Sequence, residues 1–393
     1  MLFVVAPDSF KGSLPATAVA NAMERGILSV FPGARVRKVP IADGGEGTVE
    51  ALVAATGGRI MAETVTGPLG TPVESFWGIL GDGETAVIEM AAASGLTLVP
   101  AEQRDPRRTT TYGTGQLVSA ALRQGLRRLI IGIGGSATND GGAGMAQALG
   151  VRFLDAAGRE LPCGGAALAK LSSIDMADLH PQLAETSILV ACDVDNPLCG
   201  ERGASAVYGP QKGATPAMIQ ELDAALGRFA AIAGQATGRN VAGLPGAGAA
   251  GGLGAGLMYF TGAQLQPGVD IILSATDFAG LVQEANLVIT GEGNTDFQTA
   301  YGKAPVGVAK IAGQYQVPVV CLSGGLGRGY ESVLEQGIGA AASIVPGPMA
   351  LSECMETAAE LIQAAAARVC RLLLVGHTMS FDKRLPAMKA GLC

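Results

Sequence analysis

A run of glycine, hydroxyl, amide and acid residues at 134–144 is the part of the sequence best suited to chemistry. It reads Gly-Gly-Ser-Ala-Thr-Asn-Asp-Gly-Gly-Ala-Gly and directly follows the apolar stretch 129–133. A strand that ends in such a loop presents backbone N–H groups, which suit phosphate or carboxylate, beside side-chain oxygens that suit a metal or a hydroxyl. The run indicates binding of a small anion, although tight strand-to-helix packing would explain the glycines alone.

Short loops with the same mixture of glycine, carboxylate, hydroxyl and lysine recur along the chain. They start at Pro7, Ala42, Cys192, Gly209 and Gly291. Phosphoryl transfer needs groups that orient a charged phosphate and neutralise the charge that grows on it, and these residue types supply both. The loops favour a phosphate-handling enzyme.

A carboxylate is the expected general base. The two histidines, His180 in a polar stretch and His377 near the C-terminus, lie outside the candidate loops. Asp193 ends the apolar strand 188–192 and enters a polar turn, where it could take a proton from an attacking hydroxyl. The competing interpretation is an Asx turn with Asn196, which turn chemistry alone favours.

Lysines and acids in the other loops have two interpretations each. Lys11, Lys212 and Lys303 could neutralise the transferred group, or could be solvated surface lysines. Asp43 and Glu46 could bind Mg²⁺, which prefers oxygen ligands, or could stabilise the N-terminus of the helix that follows.

Two glycine patterns weakly resemble the dinucleotide-binding fingerprint. Gly246-x-Gly248-x-x-Gly251 has no apolar strand before it, and Gly132-x-Gly134-x-x-Ala137 lacks the usual helix-opening residues. The pair Gly302-Lys303 is followed by alanine where a phosphate-binding P-loop needs Ser or Thr. An NAD-linked hydroxyacid dehydrogenase therefore remains only an alternative.

Composition sets the outer limits. The chain has 393 residues, of which 48% are hydrophobic and 4% aromatic, so we expect two domains with aliphatic cores. The net charge of −7 is scattered without a basic stripe, which argues against a nucleic-acid partner. We expect no membrane partner and a cytoplasmic location, because no signal peptide or long uncharged apolar stretch is visible. The seven cysteines form no C-x-x-C pair and are expected to be reduced.

The apolar patterns predict an α/β fold. Strands are expected at 2–6, 36–42, 129–133, 188–191, 285–290, 317–323 and 341–345, and helices at 16–31, 48–56, 116–122, 216–232 and 352–373. An antiparallel element is expected between 59 and 90, with a hairpin turn at Asp82-Gly83. The glycine-rich segment 243–256 is interpreted as a buried or ligand-facing loop.

The repeated pattern of the two chain ends predicts a discontinuous domain. We expect a Rossmann-like parallel-sheet domain at 1–60 plus 277–376, an inserted mixed α/β domain at 61–276 and a tail at 377–393. Ligands of parallel sheets lie at the carboxyl ends of strands, so we expect the site in an interdomain cleft.

The loops starting at 7, 43, 134, 193, 209, 248 and 291 together resemble those of bacterial type I glycerate kinases, two-domain enzymes that phosphorylate glycerate with ATP. The resemblance extends from about residue 2 to about residue 374. It implies ATP and Mg²⁺ as cofactors, glycerate as substrate and phosphorylation of the 2-hydroxyl in preference to the 3-hydroxyl. The sequence departs from the family pattern at Asn294, where arginine is usual, and in the tail at 377–393.

For the reaction that the resemblance implies, we expect Asp193 as the general base and Lys11 as the second catalytic residue. One or two carboxylates among Asp43, Glu46, Asp193, Glu292 and Asp296 would suffice for Mg²⁺, and Asp43 and Glu46 are the ligands we select. The expected substrate- and phosphate-binding residues are Asp8, Ser9, Gly134, Gly135, Ser136, Asn139, Asp140, Lys212, Gly291, Glu292, Asp296 and Lys303. A non-catalytic sensor of a small organic acid is the second alternative, and a homo-oligomer is one option for the assembly.

Overall fold

The chain divides into two compact units. In the computed structural model, which describes residues 1–41, 44, 45 and 47–378, unit 1 is Met1–Ala42 with Ile272–Cys393 and unit 2 is Asp43–Ile271. The predicted metal ligands Asp43 and Glu46, and residues 379–393 of the predicted tail, lie outside the described residues. The domain limits predicted from the sequence, 1–60 plus 277–376 and 61–276, stay predictions.

The strands are short, with three to nine residues each. In chain order they are β1 (Leu2–Pro7), β2 (Arg35–Lys38), β3 (Arg59–Thr66), β4 (Pro72–Ile79), β5 (Thr85–Glu89), β6 (Arg128–Gly132), β7 (Arg152–Leu154), β8 (Ser173–Asp175), β9 (Ser187–Ala191), β10 (Gln264–Gln266), β11 (Leu287–Thr295), β12 (Val319–Leu326) and β13 (Ala340–Ser343).

The α-helices follow or separate these strands. They are α1 (Ala16–Val30), α2 (Thr48–Thr56), α3 (Ala91–Ser94), α4 (Tyr112–Arg123), α5 (Ala143–Ala148), α6 (Ala204–Tyr208), α7 (Pro216–Thr237), α8 (Ala249–Thr261), α9 (Gly268–Ala275), α10 (Phe278–Gln283), α11 (Ala304–Gln314), α12 (Leu351–Glu356) and α13 (Ala358–Thr378). Short 3-10 helices occur at Leu96–Leu98, Ala101–Gln103, Gly165–Lys170, Pro181–Glu185, Pro210–Lys212, Phe297–Tyr301 and Tyr330–Gln336.

Unit 1 is built on a five-stranded parallel sheet of order β13-β12-β11-β1-β2. Pro7 lies opposite Gly291, and Gly291 lies opposite Leu322. The chain runs outward from β1 to β2 on one side and from β11 through β12 to β13 on the other, so the strand order reverses between β1 and β11. Parallel sheets bind ligands at the carboxyl edge beside such a reversal.

The core of unit 1 buries the sheet under helices α1 and α13. Phe3, Val5 and Ile289 are fully buried within it. Helices α1 and α13 cross closely at Gly26, where an added Cβ would lie 2.3 Å from the Gln363 carbonyl oxygen. A residue without a side chain is therefore required at this crossing.

Unit 2 contains a six-stranded mixed sheet of order β10-β9-β6-β5-β4-β3. Strands β3, β4 and β5 are antiparallel, and the Asp82-Gly83 turn joins β4 to β5 as predicted. Strands β5, β6, β9 and β10 are parallel. A parallel-sheet unit together with a mixed α/β unit confirms the predicted fold class.

The prediction of a loop at 243–256 is wrong in its second half. Helix α8 begins at Ala249, although Ala250, Gly251 and Gly252 have positive φ angles. Packing overrides the low helix propensity of glycine here, because an added Cβ at Gly256 would lie 2.5 Å from the Gly141 carbonyl oxygen. The glycines let α8 approach the 134–144 loop.

Three other predicted elements differ in extent. The strand predicted at 36–42 ends at Lys38, and the single helix predicted at 352–373 is divided at Thr357 into α12 and α13. Strand β11 continues to Thr295, so the Gly291-Glu292-Gly293 segment, predicted as a loop, lies within the sheet. Pairing of Glu292 with Ser323 of β12 supplies the backbone partners that extend this strand.

The close approach at Gly251 predicts a large stability loss on substitution. Gly251 has a φ of 67°, and its added Cβ would lie 1.9 Å from the Thr138 carbonyl oxygen. We expect Gly251→Ala to lower the free energy of unfolding by about 3 kcal/mol, measured by chemical denaturation.

The matched control is Gly227→Ala in the middle of α7, where no atom lies within 4 Å of the added Cβ. We expect this variant to gain about 0.5–1 kcal/mol from the helix propensity of alanine. Equal effects of the two substitutions would contradict the packing argument.

Candidate active site

A cavity of about 870 Å³ opens at the carboxyl edge of the unit 1 sheet. It lies beside the reversal between β1 and β11, where the parallel topology favours a ligand. Six of the residues predicted from sequence line it, namely Asp8, Ser9, Lys11, Glu292, Asp296 and Lys303. Gly291 lies behind this lining in β11, where its carbonyl oxygen accepts a hydrogen bond from the Asp8 backbone N–H at 2.8 Å.

Glu292 is the buried acid of this cavity. Its Oε1 accepts hydrogen bonds from the hydroxyls of Thr295 at 3.0 Å and Thr299 at 2.6 Å. Its Oε2 lies 3.8 Å from the Lys303 ammonium. Burial raises the pKa of the Glu292 carboxyl, opposed by the Thr299 hydrogen bond and by the Lys303 charge. The side chain is therefore held in one orientation, with Oε2 directed towards a cation.

Asp296 and Asp8 are oriented by local hydrogen bonds. Asp296 caps the helix Phe297–Tyr301 by accepting from the Gln298 backbone N–H, and it also accepts from the Asn294 side-chain amide at 3.1 Å. Asn294, at the position where the resemblance leads us to expect arginine, thus orients a carboxylate without adding a positive charge. The Asp8 Oδ1 accepts from the Ser9 backbone N–H at 2.6 Å.

Part of the cavity lining is apolar, and the sequence analysis did not predict it. It is formed by Val345, Pro348, Met349, Leu351 and Met355, which follow strand β13. The segment Val345-Pro346-Gly347-Pro348 repeats the arrangement of a strand that ends in a glycine loop, which was the available signal. The absence of charged residues in that segment hid it from a search for catalytic side chains.

A second, smaller cavity of about 290 Å³ lies in unit 2. It brings together four of the predicted site residues, Gly134, Gly135, Ser136 and Asp193. Sequence analysis did not select its other polar lining residues, which are Cys192, Tyr208 and Gln211. Tyr208 and Gln211 lie in or beside the predicted Gly209 loop, where only Lys212 was chosen.

Asp193 follows β9 and is exposed to solvent. Its Oδ1 accepts a hydrogen bond from the Gly268 backbone N–H at 2.9 Å, at the start of α9. This contact joins the carboxylate to a residue 75 positions away in the chain. An oriented, accessible carboxylate is suited to accept a proton from a bound hydroxyl.

Gly132 at the end of β6 and Gly134 of the 134–144 run serve backbone packing as well. An added Cβ on Gly132 would lie 2.5 Å from the Gly44 carbonyl oxygen, and one on Gly134 would lie 2.8 Å from the Gly45 Cα. The Gly134 N–H donates to the Gly44 carbonyl oxygen at 3.0 Å. The packing interpretation therefore holds for Gly134, which also lines the cavity.

Asp140 is fully buried beneath this loop. Its Oδ2 accepts hydrogen bonds from the Thr111 backbone N–H at 2.8 Å, the Thr111 hydroxyl at 2.9 Å and the Gly144 N–H at 3.2 Å, and its Oδ1 accepts from the Gly142 N–H. Burial raises the pKa of this carboxyl against the effect of the four donors. Asp140 holds the start of α5 and the loop in place.

Lys212 is buried as well, with 1% of its surface exposed. Its ammonium donates to the Thr138 carbonyl oxygen at 2.7 Å. Burial lowers the pKa of Lys212 to about 7, although the charge of Asp140 opposes the change. Asn139 is buried too and donates to the Ser205 hydroxyl at 2.9 Å. Asn139 and Asp140, which belong to the loop, and Lys212 are therefore buried side chains whose hydrogen bonds hold the loop in place.

Two negative findings apply to residues 1–41, 44, 45 and 47–378. In these ranges no three His, Cys, Asp or Glu side chains are grouped to hold a metal ion by themselves. None of the helices within them is both long and apolar enough to cross a bilayer.

The fold and the sites define a class of α/β enzyme. A chain that combines a parallel sheet whose carboxyl edge carries carboxylates and lysines around a cavity with a mixed α/β unit that carries a glycine-rich loop is typical of enzymes that act on small anionic substrates.

The comparisons with known proteins identify the family. The model of the glycerate kinase family matches residues 3–374. A glycerate kinase of Bacillus subtilis is 55% identical, covering 96% of this chain and 99% of that protein. A glycerate 2-kinase of Escherichia coli is 50% identical with 96% and 99% coverage. A crystal structure named glycerate kinase 2, from Salmonella typhimurium LT2, matches with a TM-score of 0.87 at 50% identity, covering 96% of this chain and all of that chain. The chain belongs to the glycerate kinase family, which confirms the resemblance found in the sequence.

The buried lysine predicts a pH dependence of stability. The pKa of Lys212 is about 7 in the folded state and near 10.4 in the unfolded chain. At pH values between these two pKa values the unfolded state binds one proton more than the folded state. The free energy of unfolding therefore rises with pH, by up to about 1.4 kcal/mol per pH unit. Lys212→Met removes this contribution.

We expect the difference in unfolding free energy between wild type and Lys212→Met to change steadily from pH 7 to pH 9.5 in urea denaturation. Subtracting the two cancels the titration of the cysteines, which is common to both proteins. The exposed Lys170→Met is the control and should show a constant difference. A constant difference for Lys212→Met would contradict the assigned pKa.

Proposed function

We propose that this chain transfers the γ-phosphoryl group of ATP to a hydroxyl of glycerate. The observation that carries the proposal is the joint presence, in a member of this family, of a carboxylate- and lysine-lined cavity in unit 1 and an anion loop with an accessible acid in unit 2. The 2-hydroxyl is the favoured acceptor, because a relative 50% identical to this chain is named glycerate 2-kinase.

In this proposal Asp193 is the general base. Its carboxylate is oriented by the Gly268 N–H and lines a cavity of about 290 Å³, a size that suits a three-carbon acid. Ser136 and the glycines beside it lie in the same cavity and offer polar contacts to the substrate. Removing the hydroxyl proton as the new phosphorus–oxygen bond forms is the role that phosphoryl transfer requires of such a group.

Lys11 and Lys303 neutralise phosphate charge in the unit 1 cavity. Lys303 is 42% exposed and lies 3.8 Å from Glu292, so its ammonium can contact a ligand and the buried acid together. Fixed positive charges directed at the transferred group stabilise its transition state.

Magnesium fits this cavity. Mg²⁺ takes one or two carboxylates, completes its shell with water and phosphate oxygens, and supplies charge neutralisation at the phosphates when bound. Asp8, Glu292 and Asp296 are carboxylates around one cavity, and the Oε2 of Glu292 accepts neither threonine hydroxyl and lies 3.8 Å from the Lys303 ammonium. The assignment of Asp43 and Glu46 as further metal ligands stays a proposal, as do the cytoplasmic location, the interdomain cleft and a homo-oligomer.

Substitution of the proposed base tests the mechanism. We expect Asp193→Asn to lower kcat by about 10²–10⁴-fold, because asparagine keeps the contact with Gly268 but cannot accept the proton. The assay couples ADP release to glycerate addition and identifies the phosphoglycerate product by NMR.

The control is Asp195→Asn. This neighbouring acid is exposed, forms a surface ion pair with Arg202 at 3.0 Å and lies outside the cavity lining. We expect its kcat within twofold of wild type. An unchanged rate for Asp193→Asn would remove Asp193 from the mechanism, whereas glycerate binding by the wild type without ADP release would favour the sensor alternative.

A further inference from the structure

The unit 2 cavity offers a substrate carboxylate neutral groups in place of a cation. Among the lining residues that the structure describes, Asp193 carries the one formal charge at neutral pH, and that charge is negative. Glycerate has a carboxylate besides its two hydroxyls, and an ionised carboxylate only accepts hydrogen bonds. In the proposed function Asp193 receives the reacting hydroxyl, so the substrate carboxylate needs neutral hydrogen-bond donors elsewhere in the same cavity.

Four side chains of the lining carry a hydrogen-bond donor, namely Ser136, Cys192, Tyr208 and Gln211. The Tyr208 hydroxyl donates to the Asn196 Oδ1 at 2.6 Å, and the Cys192 thiol donates to the Val194 carbonyl oxygen at 3.4 Å. Burial raises the pKa of both groups, so their protons stay in place. Within the described part of the chain, the Ser136 hydroxyl and the Gln211 amide donate to no other residue.

Ser136 is fixed through the backbone on both sides. The Leu96 N–H donates to the Gly135 carbonyl oxygen at 2.8 Å, and the Ala137 N–H donates to the Ser94 carbonyl oxygen at 3.0 Å. Its hydroxyl is therefore presented to the cavity from a backbone that is already held in place.

Gln211 is held by a short turn that a buried lysine anchors. It is the middle residue of the 3-10 helix Pro210–Lys212, which the Gly213 N–H closes by donating to the Pro210 carbonyl oxygen at 3.0 Å. Successive side chains of a 3-10 helix point about 120° apart. The Lys212 ammonium reaches the Thr138 carbonyl oxygen, whereas the exposed Gln211 side chain lines the cavity. The buried contact of one residue thus positions the next.

We propose that Gln211 is a substrate-binding residue whose side-chain amide, together with the Ser136 hydroxyl, donates hydrogen bonds to the carboxylate of glycerate. The assignment rests on the proposed function and adds the group that recognises the acid. The Gln211 amide has two N–H donors. A cation in its place would lower the pKa of the Asp193 carboxyl and make it a weaker base, whereas a neutral amide does not.

Kinetic constants of two Gln211 variants test the assignment. We expect Gln211→Ala to raise the KM for glycerate about 10–100-fold with kcat unchanged, because it removes hydrogen bonds to a charged group that form equally in the bound substrate and in the transition state. Gln211→Glu keeps the size of the side chain and places a negative charge opposite the substrate carboxylate, so we expect a larger rise than in Gln211→Ala. The KM for ATP should be unchanged in both variants.

Glyceramide, in which a neutral amide replaces the carboxylate of glycerate, separates recognition of the acid from a general distortion of the cavity. Its inhibition constant against glycerate is measured for wild type and for Gln211→Glu. We expect Gln211→Glu to bind glyceramide at least as tightly as wild type does, because the new carboxylate accepts hydrogen bonds from the amide of the inhibitor. A parallel loss of affinity for glycerate and glyceramide would overturn the assignment, as would an unchanged KM for glycerate in Gln211→Ala.

The matched control is Gln235→Glu. It makes the same change of charge at an exposed position of α7, outside the cavity lining. We expect its KM for glycerate to equal that of wild type. An equal rise of this KM in Gln235→Glu and Gln211→Glu would reveal a general effect of net charge and overturn the assignment.

Alkylation of Cys192 separates this inference from the proposed function. Cys192 lines the cavity and the exposed Cys163 does not, so Cys163 is the internal reference. We expect glycerate to slow alkylation of Cys192 in wild type, measured by mass spectrometry, and to give no protection in Gln211→Glu. Normal turnover with an unchanged KM for glycerate in the Gln211 variants would overturn the inference and leave the kinase function standing. Protection of Cys192 that is lost in Gln211→Glu, in a protein that forms no phosphoglycerate, would support carboxylate recognition and overturn the kinase function.

Discussion

Parallel register in the unit 1 sheet is the constraint on which the larger site depends. Pairing of Pro7, the last residue of β1, with Gly291, and of Gly291 with Leu322, places the loop after β1 beside Glu292 of β11. An added Cβ on Gly291 would lie 2.0 Å from the Leu322 carbonyl oxygen, so a larger residue would separate β11 from β12. The carboxylates that follow β1 and lie in β11 therefore reach the same cavity only while this residue is glycine.

Unit 2 positions its loop by a different means, a buried polar network. Asp140 receives four hydrogen bonds, and Lys212 donates to the Thr138 carbonyl oxygen from a fully buried position. Burying charged groups costs free energy unless each is paired or hydrogen-bonded, so such a network holds one loop geometry and disfavours others. This buried network holds the loop in place, and Ser136 and Asp193 line the unit 2 cavity.

Local chemistry made part of this structure predictable. The cap and proline at Thr215-Pro216 correctly predicted the start of α7, and the apolar runs correctly predicted β1, β6 and β9. The position of Lys212 could not be predicted, because its burial depends on a carbonyl group 74 residues earlier in the chain. The helix after Gly248 and the strand that contains Glu292 depend likewise on distant backbone partners, which no local pattern reports.

The two acids nearest the proposed chemistry differ in what they can do. Glu292 is buried, and its Oε1 already accepts two threonine hydroxyls while Oε2 faces Lys303, so a proton gained there would weaken three interactions. Asp193 is exposed, and its Oδ1 accepts a hydrogen bond from the Gly268 backbone N–H. In the proposed mechanism Glu292 therefore orients a cation and Asp193 takes the proton. Similar residue types acquire separate roles from burial and from the number of hydrogen bonds they already accept.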